Sequence, residues 1–286
     1  MRIAVIGPTG VLGRALVPIL VQKCHIVRAL ARSTAKARRL FPQLGEIVEC
    51  DLLSNIAKAL PAMLDGCDAV VHIATSIPLN FTDPDAMKAN TRLRTDGTQL
   101  LLEASLKVGI RRYIQQSITM AYPDHGDNWI TGDMPLDASQ ERTGICAPVM
   151  IMEQMIRNIP PEDLKWCILR GGTFVGEGTF QDNAIERLRS GEETVPCDGR
   201  NFTSLIHVED MAAAVAAAIE TAPAGSIFNV VDEPIRQGEY LDRLADSIGA
   251  ARPRRDKTTP CPPSWRCSNQ AARTALNWQP LHSIIP

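Results

Sequence analysis

The chain has 286 residues, a hydrophobic share of 45%, a charged share of 22% and a formal net charge of −2. That length suits one large α/β domain, or one with a smaller lobe, and that balance excludes a chain that is mainly disordered. With a pI near 6.2 there is no overall basic field to draw nucleic acid, and no apolar run reaches the ~18 residues of a membrane span. The opening residues lack the apolar stretch and small-residue cleavage site of a signal peptide. The eight cysteines, at positions 24, 50, 67, 146, 167, 197, 261 and 267, form no C-x-x-C pair. No metal site and no secreted disulfide framework is expected, and a cytoplasmic setting is the natural one.

In chain order, Arg2–Ile6 reads as a first strand and Val11 to about Lys23 as a helix, with Pro18 inside it predicting a kink or a lost hydrogen bond. Ile26–Leu30, Ile47–Cys50, Ala69–Ile73 and Tyr113–Gln116 read as further strands. A long helix is predicted from Pro84 to about Val108, capped by Asp83 and stopped by Gly109. Apolar strands alternating with helices predict a parallel sheet covered on both faces. Pro253–Pro263 reads as an extended surface loop.

Gly7-Pro8-Thr9-Gly10-Val11-Leu12-Gly13 follows the first strand and opens the first helix. Glycines at this spacing let the chain turn tightly, bring backbone N–H groups to a pyrophosphate and pack helix against strand. At the end of the second strand, where an NAD-binding protein offers an acid to the ribose, the sequence reads Ala31-Arg32-Ser33, and the first acidic residue of the chain is Glu46. A guanidinium at Arg32 suits a 2′-phosphate, so NADP is expected over NAD. Lys36, Arg38 and Arg39 read as a solvated helix face.

Further motifs carry a resemblance. These are Asp51-Leu52 after the third strand, Val70 to Ala74 on the fourth, and Asn90 with Gly97-Thr98 on the long helix. Leu169 to Gly176, Ile206 to Asp210, Phe228 to Val231 and Leu276-Asn277-Trp278-Gln279-Pro280 come after them in order. With Thr9-Gly10-Val11-Leu12-Gly13, the chain resembles the extended and atypical short-chain dehydrogenase/reductases, in their NAD-dependent epimerase/dehydratase branch, almost end to end. The resemblance implies a Rossmann-type doubly wound parallel sheet over residues 1–170, with 206–232 returning to it, and a smaller substrate lobe from 171–205 and 233–286. It implies a cofactor site at Gly7, Thr9, Gly10, Val11, Leu12, Gly13, Arg32, Ser33, Asp51, Leu52, Ile73, Ala74, Thr75 and Ser117. A small-molecule substrate and a homodimer paired through the helices near Pro84–Val108 and Ala147–Asn158 are also implied. Asp51 reads either as a ligand contact or as a turn cap, and His72 equally as a satisfied core histidine or a cofactor neighbour.

The family's Tyr and the Lys four residues later are missing. The three tyrosines, Tyr113, Tyr122 and Tyr240, are followed at that distance by Ser117, Gly126 and Leu244. If Glu153 matches the family's downstream glutamate, Ile145 and Val149 take the two positions. The catalytic hydroxyl position falls on Ile118, between Ser117 and Thr119. Ser117, Thr119 and Tyr122 are therefore the expected catalytic candidates, with His72, His125 and Cys146 behind them. Three readings stay open: an NADP-dependent oxidoreductase or isomerase with a substitute acid, a non-catalytic NADP sensor, and a fold turned to different chemistry on a hydrophobic metabolite.

Overall fold

The computed structural model describes residues 1–77, 85, 87–195 and 198–255. Aliphatic runs form β1 (Arg2–Ile6), β2 (Ile26–Ala31), β3 (Glu46–Glu49), β4 (Ala69–His72) and β5 (Arg112–Ile118), each within two residues of its expected span. Between them lie α1 (Val11–Gln22), α2 (Thr34–Leu40) and α3 (Leu60–Leu64). The inner face of α1 buries Leu16, Val17 and Leu20 completely; burying each such side chain contributes roughly 1.5–3 kcal/mol. Pro18 is on the exposed face and α1 runs through it unbroken. The lost hydrogen bond is that of the Arg14 carbonyl, on an exposed residue that water can reach.

The expected long helix is composite: α4 (Lys88–Arg92), a π-helical turn over Leu93–Gly97, and α5 (Thr98–Val108). Gly109, at φ 71°, ends it as expected. Asp83 and Pro84 lie outside the described residues. The chain continues through α6 (Thr143–Arg157), β6 (Lys165–Gly171), β7 (Thr173–Val175), α7 (Phe180–Ser190), β8 (Thr194–Val195), β9 (Phe202–Thr203) and β10 (Leu205–His207). It closes with α8 (Val208–Thr221), β11 (Ser226–Val230), β12 (Ile235–Arg236), α9 (Gln237–Ser247) and β13 (Arg254–Arg255). Most of the Pro253–Pro263 loop and all of Leu276–Pro280 are outside the described residues.

The main sheet is parallel and seven-stranded, in the order β11-β6-β5-β4-β1-β2-β3. From β1 the chain first runs to β2 and β3, then returns to β4 on β1's other side; the order reverses between β1 and β4. Open α/β sheets bind ligands beyond the strand ends at such a reversal. Two compact units are present. One gathers Met1–Ser117, Ala147–Leu169 and Ala212–Ile227; the other gathers Ile118–Cys146, Arg170–Met211 and 228–255 of the described residues. The second has its own core around Val175, Leu188, Leu205, Tyr240 and Leu244. It also takes in 118–146, because Tyr122 is bonded there to Asn229 and Arg170.

Candidate functional site

The glycine turn is closed by Gly10 N–H donating to the Gly7 carbonyl at 3.2 Å. Gly7 sits at φ +94°, and a Cβ there would lie 2.7 Å from Ala74 Cα. The segments leaving β1 and β4 therefore touch at the sheet's reversal point. A Cβ on Gly13 would come within 2.4 Å of the Gly7 and Pro8 carbonyl oxygens. Gly10 caps α1 without a side-chain hydrogen bond, and no acid stands in the first turn. Thr9 and Val11 are half-buried and Leu12 is buried. An uncapped helix end beside a cradle that any side chain would fill suits a pyrophosphate.

Arg32, one residue past β2, is exposed and makes no ion pair among the described residues. Ser33 is exposed too, and its hydroxyl caps α2 by accepting from Lys36 N–H at 3.2 Å. Asp51 Oδ1 accepts from Leu53 N–H at 3.0 Å, so the carboxylate does cap a turn; it remains half-buried. Leu52 is buried against the π-turn, 3.3 Å from where a Cβ on Gly97 would be. Beyond β4, Ile73 is buried, Ala74 half-buried and Thr75 exposed. Asn90, itself buried, steadies the next residue, accepting from Ser76 N–H at 3.2 Å.

His72 ends β4 inside a polar network. Gln115 Nε2 donates to the Gln116 carbonyl at 3.0 Å, which turns its Oε1 toward His72 Nδ1, also at 3.0 Å. Nδ1 then carries the proton, and Nε2 is a bare buried acceptor without a partner. Tyr113 Oη donates to the same Oε1 at 2.9 Å, and Thr98 Oγ1 lies 3.4 Å from Nδ1. Burial lowers the His72 pKa to about 4, partly opposed by the Gln115 bond, while the Arg94 charge lowers it further. Burial also raises the Tyr113 phenol, with the Thr98 bond opposing. His72 is thus a buried core histidine satisfied at Nδ1 and not at Nε2.

At the end of β5, Ser117 Oγ donates to Glu153 Oε1 at 2.6 Å, with both residues buried. Arg94, in the π-turn, is buried as well and reaches Met152 Sδ at 3.8 Å. Burial lowers the Arg94 guanidinium to about 10, and the Glu153 carboxylate pulls the other way. Sequence reasoning named Ser117 and Glu153 but missed Arg94. Its signal was a polar series on the helix's buried stripe, Asn90, Arg94 and Thr98, at i, i+4 spacing. Among the described residues no group of three metal-ligating side chains occurs.

The NAD-dependent epimerase/dehydratase family model matches residues 3–230. The chain belongs to this family. It is 33% identical over 298 residues to a 3-diazoavenalumate denitrifying reductase of a Streptomyces species, covering 99% of this chain and 97% of that protein. It is 25% identical to a 3β-hydroxysteroid dehydrogenase/Δ5→4-isomerase of Mycobacterium tuberculosis, over 98% of this chain and 76% of that one. The Bacillus cereus UDP-glucuronic acid 4-epimerase, solved with UDP-glucuronic acid and NAD, shares the fold at a TM-score of 0.80 and 18% identity, covering 99% of this chain and 95% of that one. The human epimerase family protein SDR39U1, solved with NADPH, gives 0.73 at 22% identity, covering 89% and 82%.

On α6, Ile145 is half-buried and Val149 wholly buried, one turn apart, and neither side chain can carry a proton or a charge. The candidate hydroxyls are engaged. Ser117 gives its proton to Glu153, and Thr119 is buried at the start of a short 3₁₀ turn. In the second unit the Tyr122 ring is fully buried; Oη donates to Asn229 Oδ1 at 2.8 Å and accepts from Arg170 Nη1 at 2.6 Å. Arg142 holds the same turn, donating to the Tyr122 carbonyl at 2.6 Å and to Asp137 Oδ2 at 2.8 Å. Cys146 is buried, and the His125 carbonyl closes a turn with Asn128.

Proposed function

We propose that this protein is an NADP(H)-dependent reductase that replaces the N₂ of a small diazo-bearing aromatic acid by hydrogen. The carrying observation is that no tyrosine of the chain is followed by a lysine four residues later, in a sequence that keeps the whole phosphate turn. Cofactor binding is assigned to Gly7, Thr9, Gly10, Val11, Leu12, Gly13, Asp51, Leu52, Ile73, Ala74, Thr75 and Ser117, with Arg32 and Ser33 on the 2′-phosphate. A reduced nicotinamide held there supplies a hydride. General acid–base help is worth ~10²–10⁴ in rate where a reaction needs it. A diazonium-type group does not need it. The carbon-bound N₂⁺ is already cationic; two electrons and one hydrogen enter as hydride, the C–N bond breaks, and N₂ leaves with no proton from the protein. Reduction of a ketone would leave an alkoxide to be protonated.

The engaged hydroxyls agree with this. Ser117 and Tyr122 direct their protons to Glu153 and Asn229, so this reading assigns no proton donation to them or to Thr119. The name of the Streptomyces relative, similar over nearly the full length of both chains, supports the substrate class. The test is to incubate the protein with NADPH and a diazo-bearing hydroxycinnamic acid, following NADPH absorbance and N₂ release together. Equimolar oxidation and gas release are expected. NADPH binding without turnover on any diazo-bearing acid would overturn the reading and leave a nucleotide-sensing role.

A further inference from the structure

Arg94 is 5% exposed, yet its hydrogen-bond acceptor among the described residues is a thioether, Met152 Sδ, at 3.8 Å. A guanidinium carries five N–H donors, and sulfur is a weak acceptor. Buried charges are ordinarily paired or fully hydrogen-bonded, because an unsatisfied one loses its hydration for nothing in return. Arg94 makes no ion pair among the described residues: Glu153 attracts it from beyond bonding distance and takes the Ser117 hydroxyl instead. Its other guanidinium nitrogens have no acceptor among the described residues, yet none is wholly closed off from solvent, so an entering group can reach them.

The neighbours say where the place is. Thr98, one turn along the helix from Arg94, faces His72 at the end of β4. Ser117, bonded to Glu153, is at the end of β5. Asn90, one turn before Arg94, holds Ser76, two residues beyond the Ala74 that touches Gly7. Met152 and Glu153 come three and four residues after Val149 on α6, so they share its face. The π-turn at Leu93–Gly97 adds a residue where Arg94 departs, a distortion common at functional positions.

We propose that Arg94 holds the ribose hydroxyls at the nicotinamide end of the cofactor, supplying from the π-turn the cation that α6 lacks at Val149. A neutral acceptor fits better than an anion, because the Glu153 carboxylate already balances the guanidinium charge. Ser117 and Glu153 act as positioning residues that keep the carboxylate beside Arg94. The inference rests only on the cofactor part of the functional reading, and its test needs no turnover.

The parent, Arg94→Met and Arg94→Lys proteins are titrated with NADPH and NADH, and with 2′,5′-ADP and ADP, which lack the nicotinamide riboside. Arg94→Met should weaken the preferred dinucleotide by about tenfold or more and leave its adenosine half unchanged. Arg94→Lys should recover most of the loss. Unchanged dinucleotide affinity in Arg94→Met would overturn the proposal, and so would equal weakening of both ligands. Should Arg94→Met fail to fold, Arg94→Gln is read by the same ratio. Failure of diazo reduction leaves these titrations intact, so the two readings fall separately.

Discussion

Lowering the pH from 6.5 toward 4 should destabilise this protein through one residue, His72. His72 is 1% exposed, bonded through Nδ1 to Gln115, and its pKa is lowered from 6.5 to about 4. The groups against it, Gln115, Tyr113 and Thr98, are neutral, and the charge acting on it is the Arg94 cation. Between pH 6.5 and 4 the unfolded chain binds a proton at this site that the folded chain refuses. Stability conferred by the neutral imidazole is therefore complete above 6.5 and is lost as the pH falls toward 4. A depression from 6.5 to about 4 corresponds to about 3 kcal/mol at 1.36 kcal/mol per pH unit. Urea denaturation of the parent and of His72→Gln, at steps from pH 7.5 to 4, isolates this contribution from those of the other histidines. The stability difference between the two proteins should shift by about that amount, steepest between pH 6 and 4.5. Parallel curves across that window would refute the assignment of His72 as a neutral buried group.

The same geometry sets other measurable outcomes. Gly13→Ala places a methyl 2.4 Å from two backbone oxygens and should cost roughly 1–3 kcal/mol in urea denaturation, with NADPH binding lost in titration. Arg32→Asp should erase or invert an NADP preference of about tenfold or more; equal affinities for NADPH and NADH in the parent would count against Arg32. Glu153→Ala leaves the buried Ser117 donor without this acceptor and removes a charge that acts on Arg94, and should destabilise by about 1–3 kcal/mol, whereas Glu153→Gln, which still accepts from Ser117, should lose less. A homodimer paired through α6 predicts that Ile151→Asp, at a side chain 49% exposed, gives monomers in sedimentation at micromolar concentration. A parent protein that sediments only as monomer would remove that expectation.

The nucleotide half of the molecule was readable because its constraints are local. A turn that brings Gly7 against Ala74 admits only glycine, so the sequence must display it. Strand runs such as Ile3–Ile6 and Val70–Val71, buried on both faces, announce themselves by continuous aliphatic character. Caps such as Gly109 are equally local. The π-turn at Leu93–Gly97 ends on Gly97, where a Cβ would lie 3.3 Å from Leu52, but a glycine within a helical run does not by itself announce a π-turn. Nor could spacing show that Tyr122 is fully enclosed. That depends on Arg170, Asn229 and Arg142, which are 48, 107 and 20 residues away. Of the hydrophobic residues on α6, Val149, Met152 and Ile156 are core, while Ile151 is exposed, a division that composition does not draw.

If Ile145 and Val149 take the family's Tyr and Lys positions, that replacement and the buried cluster beside it make sense as one change. A lysine at position 149 would share a helix face with Glu153 and offset its charge from within α6. Glu153 is a buried carboxylate that accepts from the Ser117 hydroxyl, and a charge taken out of water in this way needs compensation nearby. Arg94 places a positive charge near it from another helix, and although burial lowers that guanidinium to about 10 it stays charged at neutral pH. Charge balance is thereby kept while proton transfer is not. A site that conserves its cation and discards its acid is suited to an electrophile that needs orientation and a hydride, and unsuited to one that must be protonated as it is reduced. Under the proposed reading, that distinction favours a diazo-bearing acid over a nucleotide sugar.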